Sequence, residues 1–219
     1  MLTDVWPLFD LVLRTPRLEL RLPSLDQLAA LGELSGEGVH DPAVMPFTVP
    51  WTDQPPPERA RAVLQWQWRL WAGLTPQRWS LGFVVLTDGE VAGTQELSAA
   101  DFAVLHEVDT GSWLGLRHHG RGIGTEMRAA VLHLAFAGLG AEWATSAAAT
   151  DNPASRAVSR KLGYAEDGVE RVAVRGVVST HVRLRLDRAA WEAHRTVPVA
   201  VEGLDPCREL LGLSAAPAS

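Results

Sequence analysis

The sequence predicts a mixed α/β (α+β) fold in which helices pack against one sheet. Short runs that alternate apolar and polar residues indicate strands, and longer segments with apolar residues three and four positions apart indicate helices. Their order along the 219 residues is a strand, two helices, a strand meander and then alternating strands and helices. Because no internal repeat or flexible linker interrupts this order, we expect one domain over 1–219, with a core at about 14–187 and a C-terminal extension at 188–219.

The first part of the chain is predicted to form one strand and two helices. Residues 17–23, RLELRLP, alternate apolar and polar side chains as a half-buried strand does. Ser24 is a favourable N-cap for the helix in SLDQLAALGEL. Residues 38–57 are rich in proline and lack periodicity, so they are predicted to form a loop. The prolines at its end favour the start of a second helix over about 57–72.

The middle of the chain is predicted to form a hairpin, a strand and a helix. Asp88 and Gly89 separate two apolar runs, which is the pattern of a tight hairpin turn. The next strand covers 108–116. A helix is predicted over about 124–139 because one of its faces is apolar. That face consists of Met127, Ala130, Val131, Leu134 and Ala135.

The last part alternates strands and helices again. A strand of small residues, WATSAAAT, precedes a short helix that begins near Asn152 and ends at Gly163. Two further strands are predicted at about 171–174 and 179–186. The segment WEAHR is predicted as a helix, and a tail containing Pro and Ala follows it.

Composition and charge argue against several classes of protein. The net charge of -6 and the pI near 5.6 argue against nucleic-acid binding. Cys207 is the only cysteine, so no intrachain disulfide forms and a reducing compartment is expected. The N-terminus carries acids where a signal peptide has positive charge, and no apolar run approaches the roughly 18 residues of a membrane-spanning helix. We therefore expect a cytoplasmic protein with no membrane partner.

Three of the nine tryptophans, Trp66, Trp68 and Trp71, lie close together in the sequence. Such a cluster indicates either buried aromatic packing or an oligomer interface. We expect a homo-oligomer.

Gly120, Gly122 and Gly124 form a turn between a predicted strand and a predicted helix. Glycine lets an anion approach the main chain, and the start of a helix presents unpaired N–H groups with partial positive charge. Further donors surround the turn: His118, His119, Arg121 and Thr125. The turn predicts a pyrophosphate site, and a purely structural turn is the alternative. The spacing is neither that of a P-loop nor the G-x-G-x-x-G of dinucleotide-binding folds.

Two segments resemble the GNAT N-acyltransferases. HGRGIG, from His119 to Gly124, fits the family signature Q/R-x-x-G-x-G/A with His at the first position. DNPASRAVSRKLGY, from Asp151 to Tyr164, is similar to the second marker of the RimJ/RimL branch, and GSWLG resembles its fourth core strand. The resemblance implies the GNAT fold, a mixed and mostly antiparallel sheet that splays between its fourth and fifth core strands, with flanking helices.

The resemblance extends to both termini in mycobacterial members of the family described as succinyl-CoA transferases. The similar segments include WPLFDL, EGVHDP, GSWLGL and GTEMRAAVL. This similarity implies succinyl-CoA as an acyl donor, beside the acetyl-CoA that the family commonly uses.

The family resemblance implies transfer of an acyl group from acyl-CoA to an amine by direct attack in a ternary complex. The acceptor is left open among a small molecule, a lysine and a protein N-terminus. The strand before the glycines would hold the pantetheine arm, and the turn would hold the pyrophosphate. The implied CoA-binding residues are Trp113, Leu114, Gly115, Leu116, His119, Gly120, Arg121, Gly122, Ile123, Gly124, Thr125, Asn152 and Ser155.

Candidate catalytic residues follow from position. Glu96 and Asp109 are predicted to lie near the splayed edge, where each is either a general base or an ordinary surface acid. Ser155 matches a serine of the RimL branch and is either the acid for the departing thiolate or a first-turn hydroxyl of its own helix. Ser159 stands where many relatives have tyrosine. No spacing of His, Cys and Asp resembles a metal site.

The Pro-rich loop supplies candidates for an acceptor pocket, among them His40, Met45, Phe47 and Trp51, which are otherwise residues that anchor the loop. The missing tyrosine, and the absence of a glutamate from WATSAAAT, support a second interpretation. In that interpretation the chain is a non-catalytic acyl-CoA-binding or sensing module.

Overall fold

The protein is described here by a computed structural model that covers residues 1–214. One nine-stranded sheet has the order β7-β8-β6-β5-β4-β3-β2-β1-β9. Only the β5–β6 pair is parallel among these strands, so the predicted mixed and mostly antiparallel sheet is confirmed. The strands are β1 (Val12–Arg14), β2 (Leu18–Arg21), β3 (Arg78–Thr87), β4 (Glu90–Ala100), β5 (Glu107–Leu114), β6 (Trp143–Ala149), β7 (Ala165–Val174), β8 (Val177–Asp187) and β9 (Ala200–Glu202).

Helices cover both faces of the sheet. The alternation of β3 shows this, because Val84 packs in an apolar cluster with Leu31 and Leu34 of α2, while Phe83 and Val85 pack with residues of α5. None of the helices in the described chain is long and apolar enough to cross a membrane. The helices are α1 (Leu2–Val5), α2 (Leu25–Glu37), α3 (Pro56–Ala72), α4 (Phe102–Leu105), α5 (Ile123–His133), α6 (Pro153–Lys161) and α7 (Arg188–His194).

Local signals in the sequence correctly placed several element ends. The Ser24 hydroxyl accepts a hydrogen bond from the Gln27 N–H at 3.2 Å, and the Gln27 side chain accepts one from the Ser24 N–H at 2.9 Å, which makes a capping box for α2. Asp88 and Gly89 both have positive φ, 52° and 81°, as a tight hairpin between β3 and β4 requires. The helix predicted over 124–139 is α5 followed by a π-helical turn, Leu134–Leu139.

The C-terminal strands differ from the prediction. β7 begins six residues before the predicted 171–174, because this outer strand is exposed along most of its length and its polar residues hide the strand pattern. β8 exceeds the predicted 179–186 by only two residues at its start and one at its end. The tail adds β9, which pairs with β1 at the opposite edge of the sheet. Three residues that pair with a strand about 190 positions away give no local signal.

Of the three clustered tryptophans, one packs against another aromatic ring and two are about half exposed. The ring of Trp71 packs edge-on against Phe9, with centroids 5.4 Å apart. Trp66 and Trp68 are 50% and 46% exposed. Buried aromatic packing therefore explains Trp71 alone, and the homo-oligomer stays a prediction.

The sheet splays between β5 and β6. These strands pair in parallel only from Glu107 and Trp143 to Asp109 and Thr145. Beyond that point β5 continues along β4, whereas β6 continues along β8. A gap therefore opens between the two strands, and it confirms the splay that the family resemblance implied.

Candidate functional site

The glycine turn leaves main-chain groups open to an anion. Gly120 and Gly122 have φ of 71° and 80°, which other residues rarely adopt. A Cβ added to Gly120 would have nothing within 4 Å, so the space above the turn is empty. The N–H groups of Ile123 and Gly124 are the first two of α5 and find no acceptor in the described chain. This arrangement can bind a phosphate at the helix N-terminus.

A buried carboxylate supports the turn from behind. Glu126 accepts hydrogen bonds from the Thr15 hydroxyl at 2.6 Å and from Arg17 Nε at 2.7 Å. Arg17 Nη1 then donates to the carbonyl oxygen of Arg121 at 3.0 Å. Arg17 Nη2 lies 3.3 Å from the place of a Cβ on Gly122, so a cation stands directly beside the turn. Sequence reasoning missed Arg17, and only the acid in the first turn of α5 hinted at a partner.

The two histidines before the turn do not both face it. His119 Nε2 is hydrogen-bonded to the carbonyl oxygen of Leu114 at 3.0 Å, which fixes the turn against β5. His118 is buried, and Arg117 Nε donates to its Nε2 at 3.1 Å. Burial, together with Arg117 and Arg121, lowers the pKa of His118, so its ring stays neutral. Because Nε2 accepts this bond, the neutral ring carries its proton on Nδ1, which is buried and has no partner in the described residues. A donor role of His118 at the turn stays a prediction.

Alternate peptide groups of β5 face the gap. The Gly115 N–H donates to the carbonyl oxygen of Ala92 in β4 at 3.0 Å. By the alternation of an antiparallel pair, the peptide groups of Trp113 also face β4, and those of Ser112 and Leu114 face the gap. The main-chain groups able to pair with an extended ligand arm are thus those of Ser112 and the N–H of Leu114, because the Leu114 carbonyl oxygen is bonded to His119. Trp113 presents its side chain to the opposite face.

Leu116 differs from the expectation. Its N–H donates to the carbonyl oxygen of Gly38 at 3.1 Å, and its own carbonyl oxygen accepts the His119 N–H at 3.1 Å. Both main-chain groups are therefore used within the protein, and Leu116 is removed from the arm-binding set. Gly115 is tightly packed, because an added Cβ would lie 2.4 Å from a methyl group of Leu34.

Helix α6 places its first turn beside the gap. The Asn152 side-chain oxygen accepts the Ser155 N–H at 3.1 Å, so the capping role of this asparagine is observed. The Ser155 hydroxyl has no hydrogen-bond partner in the described residues and is half-buried. The buried Ser159 hydroxyl donates to the Ser155 carbonyl oxygen at 3.2 Å. Ser155 can thus offer its hydroxyl to a ligand, while Ser159 is held inside.

Two carboxylates lie on the face that α3 covers. Glu96 pairs with Gly111 across β4 and β5, and Asp109 lies two residues from Gly111 on the same face. Burial raises the pKa of Glu96, and Trp66 Nε1 donates to its carboxylate at 3.3 Å. The Asp109 side chain is solvent-accessible, but desolvation by its neighbours is the main cause that raises its pKa to about 6. A hydrogen bond from the Thr145 hydroxyl at 3.0 Å opposes this effect.

An aromatic row from the Pro-rich loop reaches this face. The ring centroids of Phe47 and Trp51 are 5.3 Å apart, and those of Trp51 and Trp113 are 5.6 Å apart. Both ring nitrogens of His40 are bonded within the loop, Nε2 to the Thr52 hydroxyl at 2.6 Å and Nδ1 to the Asp41 carbonyl oxygen at 2.8 Å. The row therefore connects the loop to the splayed part of β5.

An ion pair ties the same loop to the β7–β8 turn. Arg175 Nε donates to Asp53 Oδ2 at 2.9 Å, and a second nitrogen of this guanidinium bonds the other carboxylate oxygen. Within residues 1–214, no group of His, Cys, Asp and Glu is arranged to hold a metal ion.

Comparison with known proteins gives one consistent result. A family model for an acetyltransferase (GNAT) domain matches residues 17–165. Mycobacterium smegmatis RimJ in complex with CoA-disulfide is 21% identical with a TM-score of 0.63, over 84% of this chain and 90% of that chain. RimL, a ribosomal alpha-N-protein acetyltransferase in complex with coenzyme A, is 20% identical with a TM-score of 0.60, over 80% and 97%. A GNAT-family acetyltransferase from Bacillus anthracis is 14% identical with a TM-score of 0.63, over 80% and 98%.

Proposed function

Because the chain belongs to the GNAT acetyltransferase family, we propose that it transfers an acetyl or succinyl group from a CoA thioester to an amine by direct attack in a ternary complex. The observation that carries this proposal is an open glycine turn at the start of α5, beside a gap between β5 and β6. The turn binds the pyrophosphate and the gap takes the pantetheine arm. RimJ and RimL, which share the fold, were solved with CoA-derived ligands, and this supports the assignment.

The proposed CoA site differs from the set implied by resemblance, because Arg17 and Ser112 take the places of Trp113 and Leu116. Amides at the turn bind phosphate oxygens, and Arg17 adds positive charge. The outward peptide groups of Ser112 and the N–H of Leu114 pair with the arm. Asn152 keeps its amide nitrogen for the ligand after its oxygen has capped α6. The proposed residues are Arg17, Ser112, Leu114, Gly115, His119, Gly120, Arg121, Gly122, Ile123, Gly124, Thr125, Asn152 and Ser155.

The reaction needs a neutral amine. A lysine-like amine has a pKa near 10.4, so its deprotonation at pH 7 costs about 4 to 5 kcal/mol. Asp109, whose pKa is about 6, is mostly ionised at pH 7 and lies where β5 and β6 separate. We assign it as the base that accepts the proton of the attacking nitrogen. Glu96, bonded to Trp66, is the second candidate on the same face.

The acceptor reaches the site from the α3 face. Trp51, Phe47 and Trp113 form an apolar wall there, and Glu96 and Asp109 provide negative charge. This combination suits a cationic amine that carries an apolar neighbour. A lysine, a small amine and a protein N-terminus all meet this description, and the alpha-N-protein activity in the name of RimL favours the last.

A non-catalytic acyl-CoA sensor is the second candidate. Ser159 and the small-residue strand β6 favour it, since they lack the tyrosine and glutamate of many relatives. Turnover separates the two functions, because both predict CoA binding. We expect free thiol to appear from acetyl-CoA or succinyl-CoA with at least one amine in a panel of peptides, lysine derivatives and small amines. No thiol release with any amine, by a protein that binds CoA, would support the sensor.

A further inference from the structure

Arg128 is a buried cation at the gap. It lies on α5 and is 5% exposed. Its Nη1 donates to the Ser159 hydroxyl of α6 at 2.9 Å, and its Nη2 donates to the Ser112 hydroxyl of β5 at 3.3 Å. Its Nε is buried and has no acceptor in the described chain. The guanidinium therefore spans the gap from strand to helix with donors to spare.

The positive charge of Arg128 is not neutralised by a bonded carboxylate. Within residues 1–214 no carboxylate oxygen comes within ion-pair distance of its nitrogens. Burial is the main cause that lowers the pKa of Arg128, and only Tyr164 and Asp109 oppose this effect. Tyr164 is neutral because burial raises its pKa to about 12, and Asp109 is bonded to Thr145 on the opposite face of the sheet.

Burial of the Arg128 guanidinium without a bonded carboxylate is unfavourable in the absence of a ligand. A buried cation without an ionic partner loses solvation that hydroxyl groups only partly replace. An anion that enters the gap would therefore be stabilised strongly, since an opposite charge within about 4 to 6 Å shifts a pKa by 1 to 3 units. A ligand that brings negative charge to this position would complete the site.

The proposed function identifies which anion would reach this position. An arm that runs from the glycine turn into the gap would pass between Ser112 of β5 and the first turn of α6, and Arg128 bonds both of these elements. Its sulfur would then lie near the guanidinium. We propose that Arg128 stabilises the CoA sulfur as a thiolate when the thioester bond breaks, and this inference rests on the proposed function. Arg128 is then a catalytic residue of this chain.

In this acyl transfer no side chain has to donate a proton to the departing sulfur. Starting from the neutral amine, the N–C bond forms, the C–S bond breaks and its electron pair stays on sulfur. The proton that the nitrogen loses passes to the Asp109 carboxylate. The thiolate is paired with Arg128 and takes a proton from water after release. Because a serine hydroxyl is a weaker acid than a thiol, Ser155 gives the sulfur a hydrogen bond and keeps its proton.

The test measures the pKa of the CoA thiol on the protein. Thiolate absorbance in the ultraviolet is followed against pH at saturating CoA, and protein saturated with desulfo-CoA serves as the blank. We expect the bound thiol to titrate at least about one pKa unit below free CoA. Tyr164 ionises well above this range, and Asp109 ionises below it.

Variants assign the shift to one side chain. Arg128→Met should lose the shift and still bind desulfo-CoA as the wild type does, whereas Arg128→Lys should retain most of it. Arg69→Met, at an exposed position on α3, is the matched control and should titrate as the wild type. If Arg128→Met does not fold, the test is the difference in thiol pKa between free CoA and CoA bound to the wild type. Equal thiol pKa values for free and bound CoA would overturn the inference, and absence of binding by both CoA and desulfo-CoA would overturn the proposed function as well.

Discussion

At Asp109 the protonated carboxyl favours folding, whereas the proposed role as a general base requires the ionised carboxylate. Its carboxyl pKa is about 6 in the folded protein and near 3.8 in a model compound, and desolvation is the main cause although the side chain is solvent-accessible. A raised folded pKa gives stability that is complete below about pH 4 and is lost as pH rises through about 6. The ionised carboxylate therefore destabilises the fold at pH 7, where a general base has to be ionised.

Asp109→Asn should consequently raise the Tm at pH 7, and the gain should vanish below about pH 4. The same variant should lower kcat/KM for the amine by about 10²-fold. Scanning calorimetry and thiol release measure the two effects. Glu107→Gln, two residues earlier on β5 and paired with Arg185 at 3.3 Å, is the control and should retain activity. An Asp109→Asn enzyme of full activity would contradict the assignment of the base.

At the scale of elements, the start of α5 shows what a sequence reveals. The glycine turn and the apolar helix face are local patterns, and both were predicted within a few residues. The support from Arg17 was missed because its hydrogen bond to Glu126 joins residues 109 positions apart. Likewise the position of Asp109 was predicted, but its pKa depends on packing between β4, β5 and β6 that no local pattern encodes.

Glu126→Gln should destabilise the protein, since the carboxylate accepts three hydrogen bonds from Thr15 and Arg17 in a buried site. We expect a loss of about 2 to 3 kcal/mol in the free energy of unfolding, measured by chemical denaturation. CoA affinity should fall as well, because Arg17 would no longer hold the turn. Glu58→Gln, exposed in the first turn of α3, is the matched control and should stay within about 0.5 kcal/mol of the wild type. Equal losses in both variants would show that the buried contacts contribute little.

At the scale of the whole molecule, the Pro-rich loop and the β7–β8 turn meet beside the face that we propose for the acceptor. Their connection is the ion pair of Asp53 with Arg175, 122 positions apart in the chain. Trp51 packs on Trp113, so the same loop also reaches the gap. Contacts between residues so far apart in the chain, like the pairing of β9 with β1, could not be predicted from local periodicity. We propose that the tie orders the acceptor side of the site.

Asp53→Ala should therefore raise the KM for the amine several-fold and leave CoA affinity unchanged. Because the pair is exposed, the free energy of unfolding should change by less than about 1 kcal/mol. Steady-state kinetics against amine concentration measure the effect. Asp205→Ala breaks the exposed pair with Arg208, and its KM should equal that of the wild type. An unchanged amine KM in Asp53→Ala would remove the loop from the acceptor site.

The pyrophosphate position is the claim on which the other assignments depend. Gly120 and Gly89 are matched positions, with φ of 71° and 81° and no atom within 4 Å of an added Cβ. Glutamate at either position brings the same backbone strain and the same charge, but only at Gly120 would it occupy the proposed phosphate site. Calorimetric titration with CoA should show tight binding by the wild type and by Gly89→Glu, and no binding by Gly120→Glu. Equal CoA affinity in the two variants would contradict the account.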